Sequence, residues 1–133
     1  MADLARTIYL SVPRHPVDSM ILDIVRSSER RNQRLKVSGM LLYNDFFFCQ
    51  LLEGAPERLD ELCEMIFADP RHTLLSSVNL PAIRREIGIA LPLGYARCPL
   101  PLSDPSAFEG AATGIAAYLV EIANQVYPNN GQN

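Results

Sequence analysis

The sequence predicts an α+β fold of the ferredoxin-like type, a βαββαββ sheet with two helices on one face and a C-terminal helix on the other. Three observations predict it. Runs of β-forming residues alternate with two segments in which apolar residues recur at helical spacing. Two of the runs are joined by the turn pair Asn44-Asp45, as in a β-hairpin. Both faces of that hairpin are apolar, so each face needs its own cover.

The first half of the chain predicts a strand, a helix and the hairpin. Strand one is expected over 5–12, before a proline-bearing loop. Helix one follows, continues through Ser28 and ends near Asn32. Its apolar face is formed by Val17, Met20, Ile21, Ile24 and Val25. The hairpin strands are expected over 37–43 and 46–53, where apolar residues occupy both sides of the alternation.

The next segment predicts a second helix and two more strands. Pro56 suits the first turn of a helix. The apolar face of this helix is formed by Leu59, Leu62, Cys63, Ile66 and Phe67. Strands are expected over 74–80 and 87–93. Because Pro92 cannot donate a hydrogen bond to a neighbouring strand, the fifth strand is expected to be at an edge, bulged or short.

The tail of the chain predicts the cover for the second sheet face. A proline-rich run over 99–105 is followed by a helical stripe formed by Ile115, Leu119, Ile122 and Val126. We expect this helix to dock on the second face, in its own chain or in a partner's.

Composition excludes several classes of protein. A net charge of −3 is unfavourable for a general nucleic-acid binder, which needs clustered Lys and Arg. Three cysteines without a CxxC pair argue against a disulfide framework and a cysteine-rich zinc site. No apolar run is long enough for a signal peptide or a membrane span. We therefore expect a cytoplasmic protein without nucleic acid, membrane or metal partners.

Four places in the sequence carry polar residues that need partners. Alternation puts Gln50 on the same strand face as Phe48 and Leu52, and an unpaired buried amide costs about 1–3 kcal/mol. Tyr9 lies in the middle of strand one. Taken singly, the simplest interpretations are structural: a glutamine bonded to backbone, a core tyrosine, Asn32 as a helix-terminal asparagine, and a turn with Asp69 and His72. Taken together, these residues would surround a polar, planar ligand between the two helices.

The motifs around these residues resemble those of the BLUF family, blue-light sensors using FAD, in its short stand-alone form. Four strings carry the resemblance, in the family's order and at similar spacings: Ile8-Tyr9-Leu10-Ser11, Arg31-Asn32 followed by Val37-Ser38-Gly39, Phe48-Cys49-Gln50-Leu51-Leu52-Glu53-Gly54, and Asp69-Pro70-Arg71-His72. The resemblance implies a flavin-binding domain over 1–95, followed by a linker and capping helix over 96–133. It also implies non-covalent FAD, with FMN or riboflavin as alternatives.

The resemblance also assigns a role to each residue. Tyr9 would donate an electron and a proton to the excited flavin, and Gln50 would bridge Tyr9 and the flavin N5/O4 edge and rearrange after excitation. Asn32 would bond the polar edge of the isoalloxazine ring, with Arg31 as an additional contact. The ring pocket would be lined by Ile24, Ser28 and Phe48. The ribityl and phosphate part would lie toward Asp69, Arg71 and His72.

The sequence departs from the family pattern in the fifth strand. The family commonly carries a tryptophan and, two residues on, a methionine; ungapped counting puts these roles at Leu91 and Leu93, and the chain has no tryptophan. Phe46 stands where the family often has a small turn residue.

Other functions on the same fold remain as alternatives. An acylphosphatase-like enzyme would need a phosphate cradle, but only Arg14 follows strand one and no glycine-rich loop accompanies it. An RNA-recognition module would pair exposed aromatics with basic residues, which the aromatic run 46–48 lacks. A non-signalling flavoprotein would not need both Tyr9 and Gln50. We expect a sensor rather than an enzyme, a homo-oligomer, and an unidentified downstream protein as the receiver of the signal.

Overall fold

The structure is a computed structural model that describes residues 4–130. It contains five strands, three α-helices and two short 3-10 turns, at Val17–Ser19 and Pro105–Ala107. In chain order the elements are β1 (Ala5–Pro13), α1 (Ile21–Leu35), β2 (Ser38–Tyr43), β3 (Phe48–Gly54), α2 (Pro56–Phe67), β4 (His72–Leu80), β5 (Gly94–Arg97) and α3 (Phe108–Val126). This order confirms the predicted βαββαββ fold.

The strands form one sheet in the spatial order β4-β1-β3-β2-β5. Neighbours are antiparallel except β5, which is short and runs parallel to β2 at one edge. The central pair β1 and β3 sets Tyr9 directly opposite Gln50. Since facing residues of an antiparallel pair point to the same side of the sheet, these two polar side chains are neighbours.

Alternation along the strands builds two separate cores. Tyr9, Phe48 and Leu52 face α1 and α2. Residues one position along, including Leu10, Cys49 and Leu51, face α3 from the same chain. The predicted cover of the second face is therefore confirmed, and it is supplied within the chain.

The face of α3 that packs on the sheet differs from the predicted stripe. Ile115 and Leu119 are buried, but Ile122 is half-buried and Val126 is 51% exposed. The buried face is formed by Phe108, Ala112, Ile115, Ala116, Leu119 and Ala123. The alanines were overlooked because small residues add little to a hydrophobic pattern, yet they let the helix approach the sheet closely.

The predicted fifth strand over 87–93 is wrong. This segment is a loop, and β5 begins only at Gly94. A side chain replaces a neighbouring strand for two N–H groups at the start of the loop: Glu53 Oε1 accepts from Glu86 and Ile87, both at 2.8 Å. One backbone hydrogen bond joins the loop to the sheet, from the Gly39 N–H of β2 to the carbonyl oxygen of Leu91 at 3.3 Å. Pro92 has no N–H to offer. Strand β5 begins at a glycine, where a Cβ would lie 2.8 Å from Met40 Sδ and would require that side chain to shift.

Several predicted boundaries also move. Strand β3 starts at Phe48, because Asn44 Oδ1 accepts from the backbone N–H groups of Phe46 and Phe47 and holds them in a turn. Helix α1 passes Asn32 and ends at Leu35, where Lys36 adopts the left-handed conformation with φ 56°. Asn32 is therefore inside the last turns of the helix rather than at its end.

The acidic residue of the third motif string stabilises the fold. Glu53 is fully buried and accepts from Arg6 Nε at 2.8 Å as well as from the loop N–H groups. Such a carboxylate is tolerated because both of its oxygens accept hydrogen bonds and one of the donors is a cation. Gly54 follows it because a Cβ there would lie 2.9 Å from Val37 Cγ2. The Glu53-Gly54 pair thus joins the end of β3 to Arg6 of β1 and to the loop before β5, and packs it against Val37.

Candidate functional site

A cavity lies between α1 and α2 above the central strands. Its volume is about 30 Å³, so its walls lie close together around a narrow cleft. The predicted contact residues that line it are Tyr9, Ile24, Ser28, Arg31, Phe48, Gln50, Asp69, Arg71 and His72. Of the predicted set, only Asn32 is outside the lining.

Tyr9 and Gln50 form the polar floor of the cavity. The Tyr9 hydroxyl donates to Gln50 Oε1 at 2.6 Å, and both side chains are buried. Burial, followed by the nearby thiols of Cys49 and Cys63, raises the pKa of Tyr9 well above its usual range. The phenol is therefore protonated and holds its proton on the bond to Gln50. The amide can offer an oxygen or an NH₂ group to a neighbour.

Helix α1 supplies one wall. Ile24, Ser28 and Arg31 lie at spacings of four and three residues, which puts them on one side of the helix. Arg31 Nε is buried and has no hydrogen-bond partner among residues 4–130. Burial lowers the pKa of the guanidinium, and the neighbouring Tyr9 and Asp69 raise it in part. A buried cationic donor without a partner suits a ligand oxygen.

Asn32 lies behind this wall and is 1% exposed. Its Nδ2 donates to the carbonyl oxygen of Pro92 at 2.9 Å, which joins α1 to the loop before β5. Its Oδ1 is buried and has no partner among the described residues. The predicted contact of Asn32 with a ligand stays a prediction, and the free Oδ1 is the atom that would make it.

The turn after α2 supplies the opposite side. Arg71 forks onto Asp69, with Nε and Nη2 donating to Oδ2 at 2.9 and 2.6 Å. Burial raises the pKa of Asp69, but the hydrogen bonds and charge of Arg71 outweigh burial and hold the pKa below its ordinary value. The pair therefore stays ionised near neutral pH.

His72 has both ring nitrogens occupied by the protein. Nδ1 lies 2.6 Å from Ser11 Oγ, and Nε2 lies 2.6 Å from the carbonyl oxygen of Ile66. Its ring stands 6.0 Å from that of Tyr9 and 6.3 Å from that of Phe48, measured between centroids. His72 thus offers the cavity a ring surface rather than a free nitrogen.

Three lining residues were not predicted as contacts: Leu41, Ile66 and Leu93. Leu41 is the register partner of Gln50 across the hairpin, so pairing the predicted strands would have found it. Ile66 belongs to the predicted apolar face of α2. Leu93 was predicted in the fifth strand and instead reaches the cavity from the loop before β5.

The lining of the cavity combines apolar side chains, a polar floor and two arginines. Ile24, Phe48 and Leu93 provide apolar surface, while Tyr9 and Gln50 provide a polar floor. Within residues 4–130, Arg31 Nε is an unpartnered donor in this lining, and Asn32 Oδ1, behind the α1 wall, is an unpartnered acceptor. No group of metal-ligating side chains occurs within residues 4–130, and no helix there is long and apolar enough to cross a membrane.

Comparison with known proteins agrees with this chemistry. The family described as BLUF, sensors of blue-light using FAD, matches residues 4–86. The chain belongs to the BLUF family. It is a flavin-based blue-light sensor domain.

Similar proteins include both curated sequences and solved structures. The photoactivated adenylate cyclase subunit beta of Euglena longa is 40% identical over 73 residues, which are 53% of this chain and 8% of that protein. Subunit alpha of Euglena gracilis is 42% identical over 72 residues, 52% of this chain and 7% of that protein. The chain thus spans less than a tenth of the length of these relatives.

The BLUF structures extend the likeness to nearly the whole fold. BlrB, a BLUF protein in its dark state, is 27% identical with a TM-score of 0.62, covering 96% of this chain and 89% of that one. Klebsiella pneumoniae BlrP1 with FMN and cyclic diGMP is 31% identical with a TM-score of 0.58, covering 86% and 30%. The family description names FAD, whereas the BlrP1 structure contains FMN.

Proposed function

We propose that the chain binds FAD non-covalently in the cavity between α1 and α2, and that the Tyr9–Gln50 hydrogen bond converts light absorption into a structural signal. The observation that carries this proposal is the buried 2.6 Å bond from the Tyr9 hydroxyl to Gln50 Oε1 on the cavity floor. Few arrangements of a buried glutamine leave one end of its amide bonded to a phenol and the other toward a cavity.

The lining residues support specific binding roles. Ile24 and Phe48 pack on the ring, and Ser28 and His72 close the sides. Asn32 Oδ1 accepts from the polar edge of the ring, since it lacks a partner among residues 4–130. Arg31 and Arg71 lie on either side of the cavity with Asp69 as their only acidic neighbour in the lining, which favours a ligand carrying phosphate. This charge supports FAD or FMN over riboflavin.

A bound flavin would absorb blue light and, once excited, would be a strong electron acceptor. Tyr9 is positioned to lose an electron, because its ring lies on the cavity floor beside Gln50. Oxidation of a phenol makes its hydroxyl strongly acidic, so the proton of Tyr9 would leave along the bond to Gln50 Oε1 and pass by way of the amide to the ligand that has taken the electron. Gln50 then reorients or changes its hydrogen-bonding pattern, since its amide presents either an acceptor or a donor. Cys49 takes no part, because it lies in the core under α3 on the other face of the sheet, where burial raises its pKa to about 12.

The sensor domain is proposed to act on an effector rather than to catalyse a reaction. The Euglena relatives are cyclase subunits of which the matching segment is a small share. We infer that a protein effector receives the signal here as well, and that the domain itself supplies no catalytic group.

Absorption spectroscopy of purified protein tests the proposal. The protein should be yellow, and blue light should shift the flavin bands to longer wavelength, with recovery in the dark. Gln50→Leu should keep the flavin but abolish the shift, at a stability cost of about 1–3 kcal/mol because the buried Tyr9 hydroxyl loses its partner. Gln33→Leu is the matched control, because Gln33 is exposed on α1. A Gln50→Leu protein that shifts like the control would remove Gln50 from the mechanism.

The identity of the flavin has its own measurement. Acid denaturation should release it, and mass spectrometry should identify FAD. Release of FMN or riboflavin would correct the cofactor, and a colourless protein that takes up no added flavin would overturn the proposed site.

A further inference from the structure

A cleft separate from the flavin cavity lies at the open end of the β2–β3 hairpin. Ser38 of β2 faces Glu53 of β3 in the register of the hairpin. Two positions further out, Lys36 directly follows α1 and Ala55 directly precedes α2, so these two residues come close together. Arg85, in the loop before β5, joins both sides, because it donates to the Lys36 carbonyl at 2.9 Å and to the Glu53 carbonyl at 3.1 Å. The end of α1, the start of α2 and this loop therefore meet at one place.

Cations dominate the lining of this cleft, whose volume is about 280 Å³. They are Arg34 in the last turn of α1, Lys36, Arg58 in the first turn of α2, and Arg85. Among the described residues that line the cleft, none is acidic, and the others are apolar. The volume is near the lower end of the range for small-molecule sites. We call this place the basic cleft.

Nearby carboxylates leave most of this positive charge uncompensated. Within residues 4–130, Arg34 and Lys36 form no ion pair. Arg58 lies 3.9 Å from Glu61 of its own helix, but both side chains are more than half exposed, and such a pair is weak. Glu57 is exposed in the first turn of α2 and lies outside the lining. The basic cleft thus keeps a net positive charge.

Three acceptors that hold Arg85 carry no charge. Its Nη1 donates to Ser38 Oγ at 2.8 Å, and two further acceptors are the backbone carbonyl groups of Lys36 and Glu53. The carboxylate of Glu53 is itself bound by Arg6 Nε at 2.8 Å. Partial burial lowers the pKa of Arg85, and the nearby charge of Glu53 raises it in part. The guanidinium is therefore a fixed cation, and a bound anion would offset the cost of its burial.

The start of α2 adds backbone donors to the same place. Ala55 precedes a helix of 12 residues and has no side chain that could accept from its first N–H groups. The N–H groups at the start of a helix carry partial positive charge and favour an anion. This end of α2 strengthens a site that the four cations already define.

We propose that the basic cleft binds a small molecule with a pyrophosphate group, either inorganic pyrophosphate or a nucleoside diphosphate. Guanidinium groups form paired hydrogen bonds with phosphate oxygens. The four cations exceed the charge of a single phosphate, whereas two linked phosphates bring a larger negative charge into the same small volume. Leu35 and Ile89, which is 54% exposed, give apolar surface beside the cations, on which a nucleoside would pack.

An acidic protein segment fits the basic cleft less well than linked phosphates do. Successive carboxylates on one side of an extended chain stand about 7 Å apart. The cations here instead surround one compact volume. A compact ligand with its charge concentrated on neighbouring groups therefore matches them better.

Titration calorimetry of the flavin-loaded protein in about 50 mM salt tests the proposal, with pyrophosphate, ADP, inorganic phosphate and a hexaglutamate peptide as probes. Arg34→Gln with Arg58→Gln removes two cations from exposed positions of the cleft. Arg26→Gln with Arg30→Gln makes the same change of net charge at exposed positions of α1 outside the cleft, and is the control. The basic cleft shares no lining residue with the flavin cavity, so flavin absorption reports separately that each variant is folded.

Pyrophosphate should bind one to one, at least about tenfold more tightly than inorganic phosphate, and the cleft variant should lose at least about tenfold in affinity. The control should stay within about threefold of the unmodified protein. Tighter binding of ADP than of pyrophosphate would assign the ligand to nucleotides, and equal binding would assign it to inorganic pyrophosphate; both results support the site. The proposal is overturned if neither probe binds, if phosphate binds as tightly, if both variants lose equally, or if the peptide binds more tightly. If the double variant does not fold, Arg34→Gln is compared with Arg30→Gln in the same way.

Discussion

At the scale of single residues, Tyr9 and Gln50 owe their chemistry to the strand face on which they lie. Their neighbours on that face, Phe48 and Leu52, are apolar, so the phenol and the amide are left with each other and with the cavity. The same burial that raises the pKa of Tyr9 keeps its proton in place in the dark. A reactive hydrogen bond is thus built from ordinary side chains by position alone.

Tyr9→Phe tests whether this phenol is the electron donor. The ring volume is retained, so folding and flavin uptake should survive at a cost of about 0.5–1.5 kcal/mol for one hydrogen bond. Because the chain has no tryptophan to act as a second donor, flavin fluorescence should rise strongly and the red-shifted state should disappear. Tyr118→Phe, on α3, is the matched control. Near-native photoconversion of the Tyr9 variant would show that another group starts the reaction.

The sequence predicts single residues correctly where strand alternation determines which sheet face a side chain occupies. Period-two spacing puts Gln50 among apolar neighbours, and the hairpin order makes Tyr9 its neighbour. Alternation does not reveal the role of Glu53. The sequence shows this residue only as part of a motif, whereas in the structure its carboxylate binds Arg6 and the loop before β5. The partners of Glu53 lie far along the chain, and no local pattern reveals them.

At the scale of elements, two predictions fail for different reasons, and the fifth strand fails because of long-range contacts. The segment 87–93 has strand-like composition, but hydrogen bonds to Glu53 and the missing N–H of Pro92 keep it from pairing. For helix α3, the predicted buried face is wrong for another reason. Its apolar residues surround much of the helix, so periodicity could not decide which of them would contact the sheet.

Two alanine substitutions measure which face of α3 is docked. Leu119→Ala removes a fully buried side chain and should lower the free energy of unfolding by about 2–5 kcal/mol. Val126→Ala, at the exposed end of the predicted stripe, should stay within about 0.5 kcal/mol. Urea unfolding followed by circular dichroism gives both values. Equal losses would mean that α3 is rotated from the position described here.

At the scale of the whole molecule, one sheet separates two environments. The face under α1 and α2 combines apolar packing with the polar cavity, and the face under α3 is a continuous apolar core. The need for both covers could be predicted, because both sides of the hairpin strands are apolar.

The second face of the sheet depends on α3 for its cover. Deleting residues 104–133 bares a patch that includes Ile8, Leu10, Met40 and Leu51, all fully buried in the intact protein. A patch of this kind drives association in water, so the truncated protein should aggregate even with flavin present. Adding a peptide of residues 104–133 during refolding should restore solubility, because it supplies the missing cover. Light scattering with and without the peptide measures this, and a truncated protein that stays monomeric and equally stable would show that α3 is dispensable to the sheet.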